Sequence, residues 1–579
     1  MLRLKFILFF LVIYNALYAT EFIMTIPDGN QKEVQQILSK NNSYKSVDFI
    51  KIDLTQILEK NEYSITIGKE HFLVKKDTID ARGVNNFFFV ASNGDTHVMI
   101  SVLDSDIQGV IETPTNVYSI ETYKKNRYIL ITVDYSMLHE ICNENEIIEN
   151  ENMENLEESA LEIDDNITGE DVELKSYSDY DCKIRVLVLY TSSAESSVSN
   201  IINTVNTAVS LTNQSFVNSL INYRIELAYL GKTSYTESGS YTTDLQRFRN
   251  TNDGYMDEVH NLREKYSADI CVLLSYYTSL CGIAYGIGTS SSDAFCLVSA
   301  YSTCATTNYS FGHEIGHLLG CRHDTYVDSN TTPFAYGHGY INPSKTWRTI
   351  MAYANGCSTC PRLLYWSNPN VTYSGTPMGT TTTEYNAKVW NNQASTFMAY
   401  KQPPNTVTAT NTIVNSNSDY LNIQAKQTIQ SSGTVNIDKD AVFTSGSTIV
   451  FNPGVTITGD MVNARISNVS DCGDCKGELK SFNNLSHTQV NEIQDYNIEV
   501  YPNPTNNEIN ISYNLQNNSI VDIYVVNLFA EKVLTISNNE SQKANKYLKT
   551  VSLSNLTPAE YFIVCKINNE TITRKIILK

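Results

Sequence analysis

The stretch His313-Glu314-Ile315-Gly316-His317-Leu318-Leu319-Gly320-Cys321-Arg322-His323 limits what this chain can be more than any other. His313 and His317 stand four residues apart, so on a helix they share one face about a turn apart and can hold one metal ion. Glu314 follows the first of them and can reach a water on that ion without binding the ion itself. Gly320 can take the left-handed conformation that ends a helix and turns the chain sharply. His323 can then come back with a third nitrogen. Three neutral imidazoles leave a fourth position open, which is the arrangement of a catalytic zinc site and not of a structural one. With nine His among 579 residues, this spacing arises by chance in roughly one chain in a hundred thousand.

These residues match HExxHxxGxxH, and the chain thereby resembles the metzincin zinc metallopeptidases. The methionine turn of that family is matched by Thr349-Ile350-Met351-Ala352-Tyr353. The run Ala294-Phe295-Cys296-Leu297-Val298, the approach Ser310-Phe311-Gly312 and the pair His323-Asp324 are most similar to the reprolysin-like branch. The resemblance spans roughly residues 183–400. It implies an α/β catalytic domain, with a mixed twisted sheet and an active-site helix, that hydrolyses peptide bonds in proteins. It further implies zinc on His313, His317 and His323, with Glu314 as general base toward a zinc-bound water. Gly320 and Met351 are implied as structural at the site, Met351 as the apolar floor beneath the metal. Tyr353 reads first as a packed aromatic and second as a contact to zinc or to the transition state. His260 and His338 do not read as ligands. The run 294–298 is expected to form the sheet edge on which an extended peptide pairs, and the residues around Leu364–Asn370 to wall the primed-side pocket. A supporting calcium ion is compatible with such a domain, although no loop has EF-hand ligand spacing.

The remainder of the chain divides around this domain. Arg3 and Lys5 precede an apolar run, Phe6–Ile13, and small Ala16 and Ala19 follow. This is the layout of a secretory signal peptide over residues 1–19, with an apolar run too short to span a membrane. Residues 20–176 are expected to form a β-rich propeptide, ending in an acidic linker at 143–173. Thirteen acids and no Lys or Arg lie between Asn143 and Glu173. They account for most of the net charge of −20, since −20 + 13 = −7 for the rest. The acidity therefore belongs to one solvated segment. It argues against a nucleic-acid partner. At Lys183 strand and helix patterns begin to alternate, with apolar residues at helical spacing from Ser193 to Leu220. The metallopeptidase domain is placed at 177–402. Short β-prone triplets between glycines suggest a small β-stack at 405–470, and about seven short strands suit an Ig-like β-sandwich at 493–579.

Twelve cysteines fit an oxidising destination. Eight of them lie between Cys182 and Cys360 and could form four disulfides, with Cys321 expected among the bonded ones. The C-x-x-C pairs Cys357/Cys360 and Cys472/Cys475 read as disulfides before zinc or redox sites. Cys142 is the odd cysteine of the N-terminal unit. Its thiolate could hold the open zinc position until that unit is cut away; a disulfide to Cys182 or a buried free thiol are the alternatives.

The C-terminal segment carries Tyr501-Pro502-Asn503-Pro504, Leu556-Thr557-Pro558-Ala559-Glu560-Tyr561-Phe562 and a final Lys575–Lys579. It resembles the type A sorting domain of the type IX secretion system. That resemblance implies the type IX secretion machinery as partner and a destination outside, or on the outer surface of, a Gram-negative cell. The leading reading is a secreted zinc endopeptidase made as a zymogen. A cell-surface adhesin or protein-binding module with a catalytically silent metzincin-like domain is the alternative, and the intact Glu314 argues against it.

Overall fold

A computed structural model describes residues 20–134, 183–466 and 498–579, with short breaks inside each span. The signal segment, the acidic linker, Cys142, Cys182 and the Cys472/Cys475 pair lie outside the described residues. The chain falls into two compact units, Met1–Glu478 and Leu479–Lys579.

In the first unit, nine strands from Thr20–Thr25 to Arg127–Val133 close into a barrel. Phe87, Phe89, Ala91, Val98 and Ile100 fill its interior. Their neighbours Phe88, Val90 and Met99 point the other way and join the core of the following domain. Alternate side chains of one strand leave on opposite faces. A strand apolar on both faces, such as Asn86–Asn93, is therefore one that lines the barrel and docks it at the same time.

The next domain is built on an eight-stranded sheet. Its order is Gly282–Ala284, Phe295–Ser299, Ile270–Ser275, Lys183–Tyr190, Arg224–Lys232, Ser418–Ala425, Asp440–Ser445 and Val462–Ile466. Ile270–Ser275 and Phe295–Ser299 are buried at every position, as expected of strands covered on both faces. The helical pattern from Ser193 to Leu220 breaks in two, at Ser192–Ser197 and Ile201–Asn218. Asn200 restarts it, accepting from the amides of Ile202 and Asn203 through its side chain.

The run at 294–298 is not the sheet edge. Phe295–Ser299 pairs in parallel with Ile270–Ser275 on one side and antiparallel with Gly282–Ala284 on the other. The edge is Gly282–Ala284, too short to stand out as a strand in the sequence.

Residues 406–466 wind as a parallel coil with three faces. Thr406, Thr428 and Thr448 stack on one face, Tyr420 and Asp440 on a second, Val435 and Val455 on a third. The coil does not stand apart, because Ser418–Ala425 pairs with Arg224–Lys232 and continues the sheet. The second unit holds two antiparallel sheets around one core, in which Ile509, Ile511 and Tyr513 meet Val521, Ile523 and Ile563.

Candidate metal centre

The helix Ser310–Leu319 is buried at every position. It stops at Gly320, whose φ is 111° and whose amide bonds back to the carbonyls of Gly316 and His317. A Cβ at Gly320 would lie 2.9 Å from the Phe334 ring, so conformation and space both require glycine. The reversal returns His323 to the helix face bearing His313 and His317. Their Nε2 atoms are 3.1 Å (His313–His317), 2.9 Å (His317–His323) and 3.3 Å (His313–His323) apart. Nitrogens about 2.0–2.1 Å from a tetrahedral zinc lie about 3.3 Å from one another, so the three fit that ion.

The outer ring nitrogens fix the tautomer. His313 Nδ1 lies 2.9 Å from the Ile350 carbonyl and His317 Nδ1 lies 2.8 Å from the Cys321 carbonyl. A carbonyl only accepts, so each Nδ1 carries the proton and each Nε2 presents its lone pair to the metal. Burial, and then neighbouring positive charge, holds His313 and His317 well below the ordinary imidazole range. They are therefore neutral, as ligands must be. Among the described residues, these three histidines are the one group of His, Cys, Asp or Glu gathered closely enough to share a metal.

Met351 is fully buried. Its sulfur would lie 3.3 Å from a Cβ added to Gly316, between the two histidines of the helix. The methionine turn is held from three sides. The Tyr353 amide donates to Asp324 Oδ2 at 2.8 Å, and the buried guanidinium groups of Arg348 and Arg362 both donate to the Ala352 carbonyl. Tyr353 packs its ring on His323, with centroids 4.0 Å apart. His338 Nδ1 lies 2.7 Å from the His323 carbonyl, which braces the third ligand from behind. His260 is occupied with the Asn250 carbonyl.

Glu314 is 1% exposed. Its side chain lies against the edge strand, where a Cβ on Gly282 would come within 2.6 Å of Glu314 Cγ and Oε1. His313, Glu314, Tyr353, Ser310, Gly282 and Arg362 line one recess. Gly282 and Arg362 are site residues for which the spacing pattern gives no signal, while Asp324 stands in the pair His323-Asp324 with no role read from it. Only the buried Arg beside a C-x-x-C hints at structure.

The cysteines depart from the four-disulfide expectation. Cys281 bonds Cys304 and Cys357 bonds Cys360, while Cys271, Cys296 and Cys321 are free and buried. Cys321 is not a ligand. Its sulfur faces the Asn386 carbonyl at 3.9 Å, and burial raises its pKa well above the usual thiol value.

Comparison with known proteins agrees with this geometry. Residues 180–367 match metallo-peptidase family M12, and residues 499–579 match the secretion system C-terminal sorting domain, which indicates export to the cell surface or beyond. A peptidyl-Asp metalloendopeptidase of Xanthomonas campestris pv. campestris is 50% identical over 220 residues, 38% of this chain and 52% of that protein. One of Stenotrophomonas maltophilia is 51% identical over 223 residues, again 38% and 52%. One of Pseudomonas fragi is 45% identical over 162 residues, 28% of this chain and 84% of that protein. The chain spans about half the length of the first two relatives. With most of the third covered at that identity, the chain belongs to metallo-peptidase family M12.

Proposed function

We propose that this chain is an exported zinc endopeptidase, restrained by its N-terminal barrel as a propeptide, and that the peptidyl-Asp activity named for its relatives extends to it. The observation that carries this reading is the convergence of the Nε2 atoms of His313, His317 and His323 beside the buried side chain of Glu314. Zinc, when bound, polarises a carbonyl and brings the pKa of a water toward 7. Glu314 then serves as general base and returns the proton to the departing amine. The edge strand Gly282–Ala284 offers backbone groups to an extended peptide, and Asp324, Arg348 and Arg362 keep the methionine turn in place beneath the ligands. A module that only bound proteins would gain nothing from a carboxylate buried at this position. The sorting domain supports the type IX machinery as the export partner, and no helix among the described residues is long and apolar enough to cross a membrane.

The test is casein hydrolysis by the full chain, before and after limited proteolysis within residues 143–173, with a chelator and with zinc restored. The nicked chain should be active, the chelator should abolish activity and zinc should return it. Glu314→Gln should lose roughly 10²- to 10⁴-fold. A folded, zinc-loaded and nicked chain that cuts neither casein nor Asp-containing peptides would overturn the reading.

A further inference from the structure

We propose that the Tyr309 hydroxyl and the Leu364 backbone amide form a carboxylate-binding subsite beside the metal centre, which Glu112 of the barrel fills in cis and which an aspartyl side chain of the substrate fills once the barrel leaves. This rests on the reading of the chain as an endopeptidase and names the residues that recognise the acidic side chain.

The subsite is seen with a carboxylate in it. Glu112 Oε1 accepts from the Tyr309 hydroxyl at 2.7 Å and from the Leu364 amide at 2.8 Å. Both donors belong to the machinery around the metal. The Tyr309 carbonyl accepts from the His313 amide at 3.0 Å, and Tyr309 begins the metal-binding helix at a φ of 58°. Leu364 lies in the segment paired with the methionine turn. There Leu363 donates to the Arg348 carbonyl and Ile350 donates to the Tyr365 carbonyl, while the Ile350 carbonyl holds His313. A small void of about 10 Å³, bounded by Tyr309, Gly312, Ile350 and Leu364 on one side and by Leu211 and Thr212 on the other, lies next to the two donors. Arg362, two residues before Leu364, lines the neighbouring recess with Glu314.

The barrel's use of an acid here is costly. Glu112 is 0% exposed, and among the described residues its Oε2 has no hydrogen-bond partner. A buried carboxylate oxygen left unpaired costs on the order of a few kcal/mol. Across this interface Ser101 meets Asn203, Gln108 meets Thr204 and Thr307 meets Ser119 through neutral groups, while Asp106 accepts from the Asn203 side-chain amide at 2.7 Å and Asp95 accepts from the Ser374 hydroxyl. Of the barrel carboxylates in these contacts, Glu112 is the one that reaches the start of the helix bearing His313 and the segment paired with the methionine turn.

The experiment compares a single-Asp peptide with its Asn counterpart, using the zinc-loaded full chain as wild type, Glu112→Ala, Glu112→Gln and Glu112→Ala/Tyr309→Phe. Glu112→Ala should raise the un-nicked chain's rate on the Asp peptide about ten-fold, the worth of one charge-assisted hydrogen bond. Adding Tyr309→Phe should reduce the Asp-over-Asn ratio of kcat/KM by about the same factor. Glu112→Gln is the isosteric control, since its Oε1 can still accept from Tyr309 and Leu364, and should stay near the wild-type rate; if the alanine variant does not fold, Tyr309→Phe alone in the nicked chain carries the comparison. A ratio indifferent to Tyr309→Phe, or a rate on the Asp peptide indifferent to Glu112→Ala, would overturn the subsite. Binding of the labelled peptides to Glu112→Ala in a Glu314→Gln background reads the subsite without turnover. A preference for the Asp peptide there, with no hydrolysis by any variant, would keep the subsite and sink the endopeptidase. Equal binding of both peptides would sink the subsite alone.

Discussion

Asp324 and Tyr353 are joined by a 2.8 Å hydrogen bond from the Tyr353 amide to Asp324 Oδ2. It ties the residue after the third histidine to the residue that leaves the methionine turn. The aspartate is 3% exposed and does not face the metal, so it positions His323 and does not ligate. Asp324→Ala should weaken zinc binding by about 10- to 100-fold, the usual cost of losing an outer partner, as measured by competition with a chromogenic chelator.

Metal binding should also appear as stability. A ligand that binds only the folded state at a hundred times its Kd stabilises it by about 2.7 kcal/mol. Zinc at that excess should raise the melting temperature of the full chain, and His323→Ala should remove the rise, since two histidines at helical spacing hold zinc far less well than three.

Gly316 tests packing against propensity. Alanine favours a helix over glycine by about 1 kcal/mol. A Cβ here, however, would stand 2.7 Å from the Trp366 ring and 3.3 Å from Met351 Sδ. Trp366 is fully buried and donates through Nε1 to Ser215, so it has nowhere to move. Gly316→Ala should therefore destabilise by roughly 1–2 kcal/mol net of the propensity gain, read as a fall in melting temperature.

Barrel docking should depend on pH. Burial raises Glu112 to about 7, against the hydrogen bonds from Tyr309 and Leu364 that pull it down. A carboxyl whose pKa is higher in the docked state binds more protons there than when released, so docking weakens as pH rises. The change begins near the ordinary value of 4.5 and is complete just above 7, and amounts to at most roughly 3 kcal/mol. His97, which faces Tyr365 in the same interface, is held below the usual histidine range by its own burial. Release of the barrel after nicking should be faster at pH 8 than at pH 5, and Glu112→Gln should flatten the difference.

The disulfide Cys281–Cys304 precedes the edge strand and encloses the Phe295–Ser299 strand. For a closed loop of this length the cross-link contributes roughly 3 kcal/mol in the chain-entropy model. Cys281→Ser/Cys304→Ser should lower the denaturation midpoint accordingly without changing zinc stoichiometry.

The three converging histidines are legible in sequence because one helical turn and one glycine reversal bring them together, and local spacing is what a sequence displays. What lies around them is not local. Gly282 meets Glu314 through the pairing of a three-residue strand, and Asp324 meets Tyr353 only after the loop between them folds. The barrel reads as alternating strands, but its closure depends on pairings such as Thr20 with Tyr63. The one visible hint of its docking is Phe87-Phe88-Phe89-Val90, apolar on both faces. Cys321 sits where a disulfide is expected, yet it is free and buried.

The coil that follows the metallopeptidase domain covers the outer side of the Arg224–Lys232 strand. Tyr229 and Leu230 are paired by Leu421 and Tyr420, and Leu421, Ile423 and Phe443 complete the apolar layer over Tyr229. A chain ending near residue 402 would keep every metal ligand and lose this cover. It would present a long, apolar, unpaired strand to its own copies, so such a fragment should self-associate through that strand. The strands Ser418–Ala425 and Asp440–Ser445 thus act as a built-in solubility cap for the sheet they extend.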